Sequence, residues 1–232
     1  MRLTPFLILT KHFNNSIKYI VLYGFIYFSS SVLAGSYEDF FQATAKDEVQ
    51  VVSSLLNRGF DPNTLNLEGE SAMFIALKHE SYKAFETLIK HPKSNLNILN
   101  IHSETPLMLV CLKGNLPLAQ ALISRKADIN QPGWTPLHYA ATGGHAAIVK
   151  LLLDESAYID AESPNGTTPL MMAARYGNAA VVKLLISEGA DIHLKNKLGL
   201  SALDFAKDGV RPDAIQALEV ALHQDFLQRR GQ

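Results

Sequence analysis

His138 and His145 are the side chains whose type could carry acid–base chemistry or hold a metal, because imidazole titrates near neutrality and offers a lone pair. No two histidines have metal-ligand spacing on one helix, however. Cys111 is the single cysteine, which excludes an internal disulfide and leaves two readings of the thiol, a reactive group or a small buried filler; the filler is favoured. A Gly-rich phosphate loop, a nucleophile elbow, an HExxH helix and paired cysteine ligands are all missing from the sequence. Asn165-Gly166-Thr167 fits a glycosylation acceptor and, more strongly, a tight turn. Met171 and Met172 suggest an adaptable contact patch or packing, with packing favoured for Met171. By motif, the chain offers no catalytic residue, no metal ligand and no cofactor site.

The elements that hold these residues repeat. Thr135 to Asp160 recurs 33 positions later as Thr168 to His193, with 15 of 26 aligned positions identical and no gap. A fixed period of that length predicts a stacked array. Each copy reads as two short helices and a turn. Thr135 can cap the first helix, and Pro136 sits where a missing N–H is harmless. Leu137, Ala140 and Ala141 share one face, and Gly143-Gly144 ends the helix. Ile148, Val149, Leu152 and Leu153 form a wider stripe on the second helix, with Lys150 and Asp154 pointing away. Helices below about 12 residues are marginal alone in water, so each pair must shelter its stripe against the next.

Thr135-Pro136-Leu137-His138-Tyr139-Ala140-Ala141, Gly144-His145, Ile148-Val149-Lys150-Leu151-Leu152-Leu153 and, one copy on, Gly189-Ala190-Asp191-Ile192 resemble the ankyrin repeat, with its Thr-Pro-Leu-His-x-Ala signature and 33-residue period. The chain resembles the exported, single-domain ankyrin arrays of bacteria. The resemblance implies an all-α solenoid of about six helix-turn-helix repeats with short finger loops. It also implies that the His138 and His145 rings hydrogen-bond neighbouring backbone, with Asn115 and Asn178 serving in the register of His145.

The repeats are expected near residues 36–70, 71–104, 105–134, 135–167, 168–200 and 201–228, within an array spanning 35–228, with a frayed tail at 229–232. The first copy carries Glu38-Asp39-Phe40-Phe41-Gln42-Ala43, a polar version of the first helix, as an N-terminal cap should. In the second, Ser71 replaces Thr and retains the ability to cap. Thr105 to Thr135 is 30 residues, three short of the period, so the finger at Gln131-Pro132-Gly133-Trp134 must be truncated. Asp213, Gln216, Glu219 and Gln224 make the last copy polar outside, as a C-terminal cap.

In arrays of this kind, partners touch finger tips and the exposed end of the first helix, along the concave side. Carried over, those positions are Leu67, Glu68, Glu70, Lys78 and His79; Ile101, His102, Glu104, Leu112 and Lys113; Trp134 and Thr142; Asn165, Thr167, Arg175 and Tyr176; and Leu198, Leu200 and Lys207. The expected partner-binding set is Trp134, Arg175, Tyr176, Leu112, Lys113, His102, Thr142, Thr167, Leu198 and Leu200, rich in the Trp, Tyr and Arg of binding hot spots. Trp134, Arg175 and Tyr176 are expected to form an aromatic and cationic centre with Leu112 and Leu200 beside it. The other reading folds Trp134 back into the space left by the missing finger residues.

Residues 1–34 differ from the rest. They hold Arg2, Lys11 and Lys18 and no acid, then an apolar run from Tyr19 to Phe28, then Ser29-Ser30-Ser31-Val32-Leu33-Ala34. Basic start, apolar segment and small residues before a cut make the order of a secretory signal, with cleavage expected after Ala34. The alternative is a membrane anchor over residues 19–34, short against the roughly 20 residues of a spanning helix. The expected location is therefore the periplasm or the cell exterior. The formal charge of −1 suggests no nucleic-acid partner. The chain reads as a non-enzymatic module that binds another protein, takes no small-molecule substrate or cofactor, and meets a membrane only if the leader is uncleaved. Two other classes stand beside that reading: a secreted host-directed effector or toxin-neutralising ankyrin protein, and an enzyme or metal protein.

Overall fold

The computed structural model describes residues 35–231; the expected leader lies outside the described residues. Among the described residues there are twelve helices and no strand: α1 (residues 35–45), α2 (Val49–Asn57), α3 (Ala72–Lys78), α4 (Tyr82–Lys90), α5 (Pro106–Lys113), α6 (Leu116–Ser124), α7 (Pro136–Gly143), α8 (Ala146–Asp154), α9 (Pro169–Arg175), α10 (Ala179–Ser187), α11 (Ala202–Asp208) and α12 (Pro212–Arg230). They form six helix-turn-helix pairs. From the second pair on, first helices stack on first helices (α3, α5, α7, α9, α11), and second helices stack on second helices from α2 to α12. One continuous core runs through the stack, from Phe40 and Val52 through Leu107, Leu137 and Leu170 to Ala206 and Leu218.

The caps follow the sequence in most copies. The Thr105 and Thr168 hydroxyls accept from the backbone N–H of Met108 and Met171, at 3.3 and 3.4 Å, and the two methionine sulfurs accept in return from the threonine N–H groups. Ser201 and Asp204 do the same with a carboxylate. In the fourth copy His138 Nδ1 meets both the N–H and the hydroxyl of Thr135. Ser71 is the correction to the expected caps. Its Oγ is buried without a partner, and the third residue of α3 is Phe74, which has no polar atom to return the bond that Met, His or Asp returns elsewhere.

A second periodic device joins each repeat to the next. The loop after each second helix places Asn63, Asn97, Asn130 and Asp160 at corresponding positions, and their side-chain oxygens accept from the backbone N–H of Asn95, Asp128, Tyr158 and Asp191 at 2.7 to 3.1 Å. His193 comes next in this series. With no further loop to hold, its Nε2 meets Asp225 of α12 at 2.9 Å. That contact lies on the part of α12 that runs past the length of the other second helices. Helix α12 continues to Arg230, through residues expected to fray.

Several connections run through left-handed backbone. Most of the turns that close a first helix have a residue there: Asp47, Glu80, Gly114, Gly144 and Val210, with φ between 52° and 78°. Gly144 has a further constraint, since a Cβ there would lie 2.8 Å from the Asn178 amide nitrogen.

Candidate binding face

The fingers are hairpins closed by a side chain at their base. Asn66 N–H donates to the Glu70 carbonyl at 2.8 Å, while Asn66 Oδ1 accepts from the N–H of Glu68 and of Glu70. Asn100 does the same for His102 and Glu104, and Asn196 for Leu198 and Leu200. The Asx oxygen takes up the turn's N–H groups, and the tip residue points outward. Leu67, Ile101 and Leu198 occupy these tips and are 86%, 84% and 77% exposed. At the remaining full finger, Asn165-Gly166 forms the tight turn, with Gly166 at φ +75° and its N–H on the Ser163 carbonyl.

Between the fingers and first helices of the second and third repeats lies an open groove of about 490 Å³. Phe74 and Leu77 of α3, Leu109 and Leu112 of α5 and the finger residue Ile101 line it, with Lys78, His102 and Lys113 at its rim. Lys78 pairs with Glu70 at 3.4 Å and Lys113 with Glu80 at 3.5 Å, which holds both ammonium groups beside an apolar floor. The expected residues Leu112, Lys113 and His102 thus come together. Phe74, Leu77 and Leu109 fall outside the expected set; Phe74 and Leu77 are buried and Leu109 half-buried, so that by pattern they read as packing.

The rest of the expected set divides. Arg175 lies over the Tyr176 ring at 5.1 Å and reaches Asp208 at 2.7 Å; Arg211 holds the Arg175 carbonyl from below at 3.0 Å. Trp134 is half-buried, its ring edge-on to His138 with centroids 5.1 Å apart. The expected aromatic and cationic centre is therefore two contacts, Trp134 with His138 and Arg175 with Tyr176 and Asp208. Thr142 is partly buried, its hydroxyl donating to the His138 carbonyl within its own helix. Leu198 and Leu200 are exposed on the last finger.

Thr167 is a correction. It is buried, its N–H on Ser163 Oγ at 3.0 Å and its carbonyl accepting from both the Ser163 N–H and His138 Nε2. It stands at the foot of the finger, just before the α9 cap, and has no surface to give a partner.

The histidines are structural. His138 is fully buried and donates through Nε2 to the Thr167 carbonyl at 2.9 Å, which leaves Nδ1 as the acceptor for Thr135. Burial lowers its pKa to about 4, against the raising effect of its bond to Thr167. His145 Nε2 meets the Leu112 carbonyl one repeat back at 2.9 Å, and Asn178 donates in the same way to the Gly144 carbonyl. Tyr139 spans two repeats, its hydroxyl on Glu104 Oε1 at 2.8 Å; burial, then that carboxylate, raises its pKa. Burial likewise pushes the Cys111 thiol above its usual range. Among the described residues no group of three or more His, Cys, Asp or Glu is placed to hold a metal, and no helix is long and apolar enough to cross a membrane.

Stacked helix pairs, hairpin fingers at the head of each first helix, and side chains that stitch each repeat to the next define a repeat solenoid. The sequence model of ankyrin repeats, three copies long, matches residues 40–132 and 107–196, and the chain belongs to that family. It is 33% identical over 109 residues to ankyrin repeat and SAM domain-containing protein 6 of Rattus norvegicus, covering 45% of this chain and 12% of that protein. It is 30% identical over 133 residues to an ankyrin repeat protein of Rickettsia felis, covering 54% of this chain and 55% of that one. The chain thus spans a small part of the rat protein and about half of the rickettsial one. A solved ankyrin repeat domain from Acinetobacter baumannii has the same fold, with a TM-score of 0.69 at 24% identity, covering 78% of this chain and 96% of that domain. Ankyrin repeats are a general protein–protein interaction module, typically without enzymatic activity.

Proposed function

We propose that the chain is a non-enzymatic binding module, exported to the periplasm or the cell exterior, that holds a partner protein on the concave face formed by its fingers and first helices. The observation that carries this reading is the apolar finger row. Leu67, Ile101 and Leu198 stand almost fully in water, and Ile101 borders an apolar groove. Leu67 and Ile101 are on neighbouring fingers beside that groove, and exposed apolar surface gathered in this way marks an interaction site.

Cross-linking in the exported compartment, followed by mass spectrometry, identifies the partner. With that partner in hand, Ile101→Asp with Leu112→Asp is expected to abolish pull-down while the circular dichroism and melting temperature stay close to those of the parent. Trp134→Ala with Arg175→Ala tests the other half of the face in the same way. Unaltered pull-down by both pairs would move the site off this face.

The export reading rests on residues 1–34. N-terminal sequencing of the protein recovered from an exporting cell is expected to begin near Gly35; an intact Met1 on membrane-bound protein would replace cleavage with anchoring.

A further inference from the structure

The fingers are not all held in the same way. The Lys197 N–H donates to the Asn165 carbonyl at 2.9 Å and Lys197 Nζ to the Pro164 carbonyl at 2.8 Å, so the last two full fingers are tied to each other. The finger of Leu67 is held at its base, where the Tyr37 hydroxyl donates to the Leu65 carbonyl at 2.7 Å. The finger of Ile101, residues 99–104, has no full finger to follow it, because the next loop is the truncated one at Gln131-Pro132-Gly133-Trp134. Its turn is also the strained one. Ser103 has φ +61°, where the corresponding residues of the other full fingers are Gly69, Gly166 and Gly199.

Among the described residues a single hydrogen bond joins this finger to another element. The Tyr139 hydroxyl of α7 donates to Glu104 Oε1 at 2.8 Å. Glu104 Oε2 accepts from Asn100 Nδ2 at 2.7 Å, and Asn100 Oδ1 accepts from the N–H groups of His102 and Glu104 at 2.9 and 3.0 Å. The bond from Tyr139 therefore reaches the turn on which Ile101 stands. Burial and then the carboxylate raise the phenol's pKa, so it remains a donor at ordinary pH. The same register holds Ile75, Leu109, Met172 and Phe205 in the second, third, fifth and sixth copies, and none of these side chains can donate. The hydroxyl stands in the copy whose own finger is cut short.

We propose that Tyr139 is the positioning residue for the Ile101 finger, standing in for the missing neighbour and holding that tip beside the apolar groove it lines. What the finger is held for rests on the reading of this face as the binding surface. A finger fixed before contact loses less freedom when a partner arrives, so the clamp raises affinity without Tyr139 touching the partner.

Amide exchange on the free chain tests the clamp with no partner present. Tyr139→Phe is expected to speed exchange of the His102 and Glu104 N–H groups about tenfold, to leave α5 and α7 unchanged, and to add nothing in a Glu104→Ala background. Unchanged exchange in the finger overturns the proposal, as does acceleration spread through α5 and α7, which would make Tyr139 a general brace. With the cross-linked partner, Tyr139→Phe should weaken binding about fivefold. Unweakened binding, in a chain whose Ile101→Asp, Leu112→Asp pair abolishes pull-down, overturns the positioning role and leaves the face in place. Pull-down untouched by that pair overturns the face instead, and the exchange result alone then decides the clamp.

Discussion

His138 shows how one buried ring can set the pH response of an array. Unfolded, it takes up a proton near its usual 6.5; folded, only near 4. Between those values the unfolded chain binds more protons, so the stabilisation is complete above about pH 6.5 and is lost as the pH falls toward 4, by up to about 3 kcal/mol. Denaturant unfolding at pH 7 and pH 5 should therefore differ in the parent, and much less in His138→Met. That variant keeps an acceptor for Thr135, as Met108 and Met171 do in their copies, and forfeits the bond to Thr167, at about 1 kcal/mol at pH 7. The residue-scale roles legible in the sequence were those with a register: His138, His145 and Asn178 stand where the repeat predicts. Ser71 was misread because a residue type able to cap need not aim its oxygen at the helix: Ser71 Oγ is buried without a partner. Thr167 was misread because position in the period does not say which way a finger residue's side chain turns.

At the scale of elements, the helix pairs were legible because caps, small residues and apolar stripes all agree. The turns between them were less so. Val210 closes α11 with φ 52° and stands 80% exposed, a β-branched side chain in a conformation that two equivalent turns give to glycine. Val210→Gly should remove that strain and stabilise the chain by about 1 kcal/mol, read as a higher denaturation midpoint with an unchanged slope. The truncated fourth finger was visible as a count of 30 instead of 33, yet the resting place of Trp134 against His138 was not, since a missing loop does not say where its last residue turns. Nor could the anchored length of α12 be foreseen. Its polar residues read equally well as a loose tail until Asp225 is seen to meet His193.

For the molecule as a whole, stability in such a stack is close to a sum over repeats and the contacts between neighbours. The fourth and fifth pairs have a neighbour on both sides and cores that are fully buried at Leu137, Leu152, Leu170 and Leu185. Amide exchange is expected to be slowest in α7 to α10, and fastest in α1, α2 and the last turns of α12. Asp225→Asn should speed exchange in residues 222–230 while leaving α7 unchanged; uniform acceleration along the chain would mean that the array opens only as a unit.

Cys111 sits at the centre of that arrangement, fully buried in the third repeat and held protonated by its surroundings. Because it is the chain's single thiol, an alkylating dye can mark a molecule only while that repeat is parted from its neighbours. The protein therefore carries its own stopwatch for breathing, and a labelling rate taken with and without a bound partner would time how firmly the grip holds the stack shut.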